Sequence, residues 1–420
     1  MRTMKDSGIE WVGRVPQSWS INPIRAEFQE VTEKNKLGLV KNALKFTYGN
    51  IVKKDNFDAD DDNYVADTIL NYTVVNPGTI MLNGLNLNFD FVSQRVALVK
   101  ERGIITSAYI AFAPNSNGRI SSQFITYLLK AYDGCKAFHN MGGGVRKILN
   151  FSELKKQYIV YPTLVEQQRI ADFLDAKCAE IDALTADIQA QIDTLEQYKR
   201  SVITETVTKG LNPNAEMKDS GIEWVEQMPM SWNTVPNKYL MYKVKNICPV
   251  YNGEDILSLT TNGVIIRDLN GGGKMPTSFD GYQKVTPGNL LMCLFDIDVT
   301  PRCIGLVKNF GLTSPAYSQF VMRTGAYAPY YYYYYLMVDY TKELLHMAKN
   351  LRHSLTEDQL GAIKAPNPPY EEQVQIAEFL DKKCVEISRV IEDKNKQLAT
   401  LDDYKKSLIF EYVTGKKEVV

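Results

Sequence analysis

Two stretches of the chain keep apolar residues in helical step for far longer than an ordinary globular element does. From Glu166 to Lys209 there is neither proline nor glycine. Leu174, Ile181, Ile188, Leu195 and Val202 recur there every seven residues, with Leu184, Ile192 and Tyr198 widening the stripe. A second stretch carries Leu380, Ile387, Leu401 and Leu408, interrupted by Lys394 and flanked by Val390, Ile391, Leu398 and Tyr404. Apolar positions at this spacing, with Asp, Glu, Lys and Gln between them, predict amphipathic helices with a coiled-coil seam. At a rise of about 1.5 Å per residue each would be a rod of roughly 65 Å. Gly210-Leu211-Asn212-Pro213 stops the first, and Pro366 to Pro369 leads into the second. A lone rod would leave its stripe in water, so the two are expected to pair with each other, antiparallel.

Between the rods the period changes from that of a helix to that of a strand. Residues 72–75, 79–82 and 96–99, and then 264–266, 290–294 and 303–307, are short β-branched and aliphatic runs between turn residues. Ser122 to Tyr132 and Tyr327 to Leu345 have helical spacing. The expected fold class is α+β, with mainly antiparallel, curved sheets. The expected partition is a globular domain over 1–165, a helix over 166–212, a second domain over 213–371 and a second helix over 372–420.

The chain repeats itself. Met4 to Val12 recurs unchanged as Met217 to Val225, an offset of 213 (217 − 4), and each copy is followed by a proline and a second tryptophan, Pro16 and Trp19, then Pro229 and Trp232. Glu166-Gln167, Ile170-Ala171, Phe173-Leu174-Asp175 and Lys177-Cys178 recur as Glu372-Gln373, Ile376-Ala377, Phe379-Leu380-Asp381 and Lys383-Cys384, an offset of 206 (372 − 166). Between these constant parts the halves diverge. A duplicated frame with divergent inserts suits one job done twice on two different targets.

Composition narrows the class without naming it. The chain has 420 residues, 45% apolar and 23% charged, as expected of a globular protein. A net charge of −1 is far from that of a free-standing non-specific DNA binder. Any contact with nucleic acid must use local charge, or share the work with partners. Six cysteines lack a C-x-x-C pair and read as reduced. Met1 to Glu10 has no apolar core and no run of 18 apolar residues occurs, so neither a signal peptide nor a membrane span is expected, and the expected location is cytoplasmic.

Catalytic chemistry is hard to place. Asn367-Pro368-Pro369-Tyr370 has the form that adenine-N6 methyltransferases set around a flipped base. No glycine-rich loop after a strand accompanies it to hold S-adenosylmethionine, and it occupies the proline-rich entry to the second rod. The acidic run Asp55 to Asp62 lacks the glycine and closing glutamate of a calcium loop, and Gly273-Lys274 is not a phosphate-binding loop. His139, His346 and His353 show no metal spacing. The chain is therefore expected to be no enzyme and to hold no metal or cofactor.

Polar clusters in glycine-rich loops remain, and they suit DNA. Gly143, Arg146 and Lys147 close the run that starts at His139, and Arg352 and His353 stand in the matched stretch of the second half. Glycine lets a backbone approach a phosphate, and arginine pairs with phosphate or with the O6/N7 edge of guanine. Further candidates are Asn83, Asn86, Asn88, Gln94 and Arg95 in the first domain, and Arg267, Asn270, Lys274 and Arg302 in the second. Tyr330 to Tyr335 is expected to be mostly packing.

The doubled Ser-Gly-Ile-Glu-Trp block with its downstream Pro and Trp, and the doubled Glu-Gln-x-x-Ile-Ala-x-Phe-Leu-Asp helix start, resemble the specificity subunits of type I restriction–modification enzymes, over the whole chain. The resemblance implies an antiparallel coiled coil between the conserved helices and two target-recognition domains. Each domain would read half of a split, asymmetric double-stranded DNA target. Two adenine-methylase subunits and two ATP-dependent restriction subunits would join the chain, and S-adenosylmethionine, Mg and ATP would belong to them. A type IIB-like specificity subunit, a self-sufficient methyltransferase acting through Asn367 to Tyr370, and a coiled-coil adaptor are the alternatives.

Overall fold

The computed structural model describes residues 2–54, 69–89, 94–143, 147–271, 276–348 and 353–419. The chain divides into two compact units, Met1–Ile188 with Lys396–Val420, and Gln189–Asn395. Each unit thus holds one globular domain, part of one long helix and part of the other.

Both long helices are present. The first spans Leu164–Lys209 and the second Tyr370–Val413. Each starts two residues before the expected boundary, directly after its proline-rich lead-in. In the first unit Phe173 packs on Tyr412 with ring centroids 4.6 Å apart, and Lys405 Nζ bonds Asp182 Oδ1 at 2.6 Å. In the second unit Lys394 reaches Gln191, and Lys199 Nζ donates to Ser388 Oγ at 2.9 Å. As one number rises the other falls, so the helices pair antiparallel within each unit.

The seam is narrower than the expected stripe. Ile170, Ala171, Leu174, Cys178 and Ile181 are buried, together with Leu408, Ile409 and Val413. Leu184 and Tyr198 remain 47% and 54% exposed, and Val390 and Tyr404 behave likewise at 45% and 54%. A two-helix seam covers only the positions facing the partner helix, and these four project outside it.

Each domain has the same sheet plan. In the first, Phe28–Glu30, Ile110–Pro114, Ile80–Leu82 and Val96–Leu98 form one antiparallel four-stranded sheet in that order. In the second, Met241–Val244, Ser318–Met322, Leu290–Met292 and Ile304–Leu306 repeat it. A helix packs on each sheet: Ser122–Gly134, capped by the Ser121 hydroxyl, and Ala328–Thr341, opened by a proline. The helix expected to run from Tyr327 to Leu345 stops at Thr341, because Lys342 turns left-handed (φ 56°) and a 3-10 turn, Glu343–Met347, follows. No helix among the described residues is long and apolar enough to cross a membrane.

The repeated motifs explain themselves as joints. Gln167, fully buried, accepts from the Ser121 N–H at 2.8 Å and donates to the carbonyls of Arg119 and Pro162, both at 2.9 Å. Gln373 does the same with the Tyr327 N–H (2.8 Å) and the carbonyls of Gly325 (3.1 Å) and Pro368 (2.9 Å). Buried amides without such partners would be costly. At the far ends, Gly415 (φ 68°) lies against Trp19 and Pro16, and Gly210 (φ 75°) against Trp232 and Glu372. A Cβ on Gly415 would come within 2.5 Å of Pro16.

One buried acid distinguishes the first unit. Glu27 is 2% exposed and accepts hydrogen bonds from Tyr161 Oη (2.7 Å), Asn22 Nδ2 (2.9 Å) and Asn117 Nδ2 (2.9 Å). Burial pushes its pKa up, but those three bonds and the Arg119 charge outweigh it, so the net shift is down from 4.5. A depressed folded-state pKa gives stability that is present above the unfolded value and lost as pH falls through the folded one. Glu27→Gln should therefore lower the melting temperature at neutral pH, with the gap to wild type closing below about pH 4.5. A gap that stays constant in calorimetry across that range would refute this account of Glu27. Leu174→Ala should destabilise the first unit by about 2–5 kcal/mol. Leu184→Ala, outside the seam, should stay within about 0.5 kcal/mol of wild type in the same denaturant titration.

Candidate DNA-recognition surface

At one end of each four-stranded sheet, two loops are locked side by side. In the first unit the loop after Leu82 meets the loop before Asn150. The Leu87 N–H donates to the Lys147 carbonyl (3.1 Å) and the Leu149 N–H to the Gly84 carbonyl (2.9 Å). Gly84 is needed there, since a Cβ would lie 2.3 Å from the Leu149 carbonyl oxygen. In the second unit the Ile297 N–H donates to the His353 carbonyl (3.3 Å) and the Leu355 N–H to the Leu294 carbonyl (2.9 Å).

Backbone strain marks the same places in both copies. Seven non-glycine residues have a positive φ among those described, and six form three matched pairs. Asn86 (51°) matches Asp296 (48°), Lys136 (59°) matches Lys342 (56°), and Lys147 (36°) matches His353 (42°). Each left-handed residue of this kind costs about 1–3 kcal/mol and persists only where its surroundings impose it.

The bracing is visible. Arg95 Nη1 donates to the carbonyls of Asn83 (2.9 Å) and Leu85 (2.7 Å), and Nη2 to that of Asn86 (3.3 Å). Its backbone N–H bonds Asp133 Oδ2 at 2.8 Å. In the second unit the Cys303 N–H bonds Asp339 Oδ2 (2.9 Å), while Lys342 Nζ bonds Asp339 Oδ1 (2.8 Å) and the Thr300 carbonyl (2.7 Å). A cation and a helix-borne aspartate thus hold the loop in each copy.

This corrects the placement of Arg95, expected among the surface contacts: it is 5% exposed and turned inward, its guanidinium spent on three carbonyls of the loop. Asn86, Asn88, Gln94, Gly143 and Lys147 are exposed, and Lys147 Nζ reaches the His139 carbonyl (3.4 Å). His353 is partly exposed, with Nδ1 3.4 Å from Asp298 Oδ2. Arg302 is half-buried beside the hydroxyls of Tyr332 and Tyr340. Arg267 is half-buried and Asn270 exposed. Arg146, Arg352 and Lys274 lie outside the described residues, as does the acidic run Asp55 to Asp62.

The groups that looked chemical are spent on structure. Asn367 Oδ1 accepts from Tyr331 Oη (2.9 Å) and Gln373 Nε2 (3.3 Å), and the Pro368 carbonyl accepts from Gln373. Those two acceptors would have to be open to receive an adenine amino group. The Tyr330, Tyr331, Tyr333, Tyr334 and Tyr335 rings are all buried. Tyr330 donates to the Val207 carbonyl (3.0 Å), and Tyr334 accepts from Trp224 (3.0 Å). Burial pushes the Cys303 thiol up to about 12, helped by Asp339, so it stays protonated rather than nucleophilic. No group of three or more potential metal ligands gathers among the described residues.

Sequence reasoning missed the Asp133/Asp339 and Lys136/Lys342 pairs. Both lie at the offset of 206 that the constant helices show, and extending that offset into the variable domains would have found them.

Comparison with known proteins gives the frame a name. Residues 94–194 match the type I restriction modification DNA specificity domain. The type I restriction enzyme MjaVIII specificity subunit of Methanocaldococcus jannaschii is 24% identical over 97% of this chain and 94% of its own length. The putative MjaX specificity subunit of the same organism is 22% identical over 97% and 96%. A solved chain from a study of complex assembly and conformational transition of the type I R-M system superposes with a TM-score of 0.71, at 13% identity, over 96% of this chain and 99% of that one. With two copies of one α+β domain and paired long helices, the chain is similar along nearly its whole length to type I restriction–modification specificity subunits, and residues 94–194 carry the match to their DNA specificity domain.

Proposed function

We propose that this chain reads an asymmetric, two-part double-stranded DNA target through the two strained loop pairs, and directs adenine methylation and restriction by partner subunits. One observation carries the proposal. The same left-handed backbone recurs in both units, yet its side chains differ: Asn86 and Lys147 in one, Asp296 and His353 in the other. A fixed frame with variable side chains is what base readout requires, because phosphate contacts position a protein and base-edge contacts specify the sequence. Asparagine pairs with the N6/N7 edge of adenine, and aspartate accepts from the N4 amino group of cytosine. The two half-targets should therefore differ.

On this reading the recognition domains are residues 1–165 and 213–371, and helices 166–212 and 372–420 are the spacer. Gly143, Arg146, Lys147 and Asn86 serve one half-target, and Arg352, His353, Lys274 and Arg302 the other. Tyr198 and Tyr404, each 54% exposed at matched places on the rods, offer apolar surface to two copies of a methylase. S-adenosylmethionine would bind those methylases, and ATP and Mg the restriction subunits. The near-neutral charge then fits, since partner clamps supply much of the phosphate binding.

The test is to co-express the chain with the methylase encoded beside it and map N6-methyladenine by single-molecule sequencing. A split motif methylated only when both proteins are present is expected; methylation by this chain alone would overturn the proposal. In the same assay the pair Asn86→Ala and Lys147→Ala should relax only one half of the motif, costing about 1–3 kcal/mol of discrimination at the affected base. Relaxation of both halves, or of neither, would remove these residues from the recognition surface.

A further inference from the structure

The first unit contains a cleft of about 1580 Å³ between its helix Ser122–Gly134, the hairpin around Tyr48 and both long helices. It exists because of three positions one helical turn apart. Thr126, Lys130 and Gly134 face it. The matched residues of the second unit, 206 further on, are Tyr332, Leu336 and Tyr340. There the space is filled: Leu336 is buried, and the Arg200 guanidinium stacks 4.9 Å over the Tyr340 ring. Among the described residues these three positions thus leave space in the first unit and fill it in the second.

Its charges are unevenly satisfied. Lys405 pairs with Asp182 and Lys406 with Asp402, each at 2.6 Å, and Asp175 accepts from Tyr127 Oη at 2.6 Å. Among the described residues Lys130 and Lys100 form no ion pair. Burial, then the nearby Lys405 and Lys100 charges, pushes the Lys130 ammonium below its ordinary pKa. An anion placed there would relieve both the desolvation and the repulsion.

The size and mix of the cleft choose the occupant. Small-molecule pockets run to about 300–1,000 Å³, so this one has room for a segment of chain. Its walls mix aliphatic side chains, Ile51 and Val52 among them, with three carboxylates. A phosphate backbone carrying one charge per ~1.7 Å would meet those carboxylates as well as the lysines. A single carboxylate among apolar residues would set one charge beside Lys130 and Lys100 and meet far less repulsion from Asp175, Asp182 and Asp402 than a phosphate chain would. We propose that this cleft receives an acidic, otherwise apolar segment of a partner protein, with one carboxylate paired to Lys130, and that the second unit has no counterpart site. The inference rests on the specificity-subunit reading, and the partner it commits to is the methylase. The two methylase copies would then bind unequally.

The full-length chain should be titrated with its cognate methylase by calorimetry at low salt, with native mass spectrometry for stoichiometry. Lys130→Glu and Gly134→Tyr are the test variants. A Cβ at Gly134 meets no atom within 4 Å, so tyrosine there should fill the cleft without disturbing the helix. Each variant should weaken one of two binding steps by about tenfold or more and leave the other unchanged, because a misplaced like charge or a blocked pocket is costly. Lys130→Arg should retain binding, and unchanged melting temperatures would show that the variants fold. Wild-type binding by both test variants, or equal loss at both steps, would overturn the inference. Loss with Gly134→Tyr but not with Lys130→Glu would overturn the carboxylate pairing. A wild-type chain that neither binds the methylase nor directs sequence-specific methylation would instead take down the underlying reading, and the inference with it.

Discussion

Both units are organised by the need to bury the apolar stripe of a long helix. Neither domain closes its core alone. In the first, Leu174 and Ile181 from the start of one helix and Leu408, Ile409 and Val413 from the end of the other join Trp19 and Phe124 in a single cluster. In the second, Ile203 and Val207 join Ile376, Leu380 and Trp232. The identical blocks Met4–Val12 and Met217–Val225 are the floors on which the helix ends sit: Ile9, Val12, Ile222 and Val225 are buried, and Lys416 Nζ donates to the Val12 carbonyl at 2.7 Å. A change at either end of a helix is therefore felt in a domain core, which is a physical reason for these segments to match while the inserts do not. Completing the first core also requires residues near 173 and 412 to meet, a long-range closure of the kind that slows folding.

How far this was legible varied with the kind of interaction. Heptad spacing and breaker residues placed the starts of both long helices to within two residues, because a stripe buried against one neighbour imprints its period on the sequence. It did not say how wide the buried face is, and Leu184, Tyr198, Val390 and Tyr404 lie outside it. The short strands were placed as well, by β-branched runs between turns. Arg95 shows where linear pattern fails. Among Asn83, Asn86 and Asn88 it has the look of a surface contact, and only the fold reveals three loop carbonyls that require its donors. Left-handed backbone at Lys136, Lys147 and Lys342 was equally hidden, since lysine does not favour that conformation by itself.

The strained pairs connect stability to specificity. Several left-handed residues per unit would be hard to keep in a loop free to relax, and the loops are braced, by an inward arginine in the first unit and by a lysine anchored on Asp339 in the second. The left-handed positions recur in both units although the inserts around them diverge, which argues that the conformation itself is what has been retained. A backbone held this firmly can exchange exposed side chains at Asn86 or His353 without moving its neighbours. Under the proposed function that separation is what allows retargeting, because the frame sets where a side chain meets a base edge and the side chain alone sets which base it accepts. It also removes the need for a strongly basic surface. On that proposal discrimination would reside in a few well-placed hydrogen bonds, which a chain with a net charge of −1 can supply if its partners hold the phosphates.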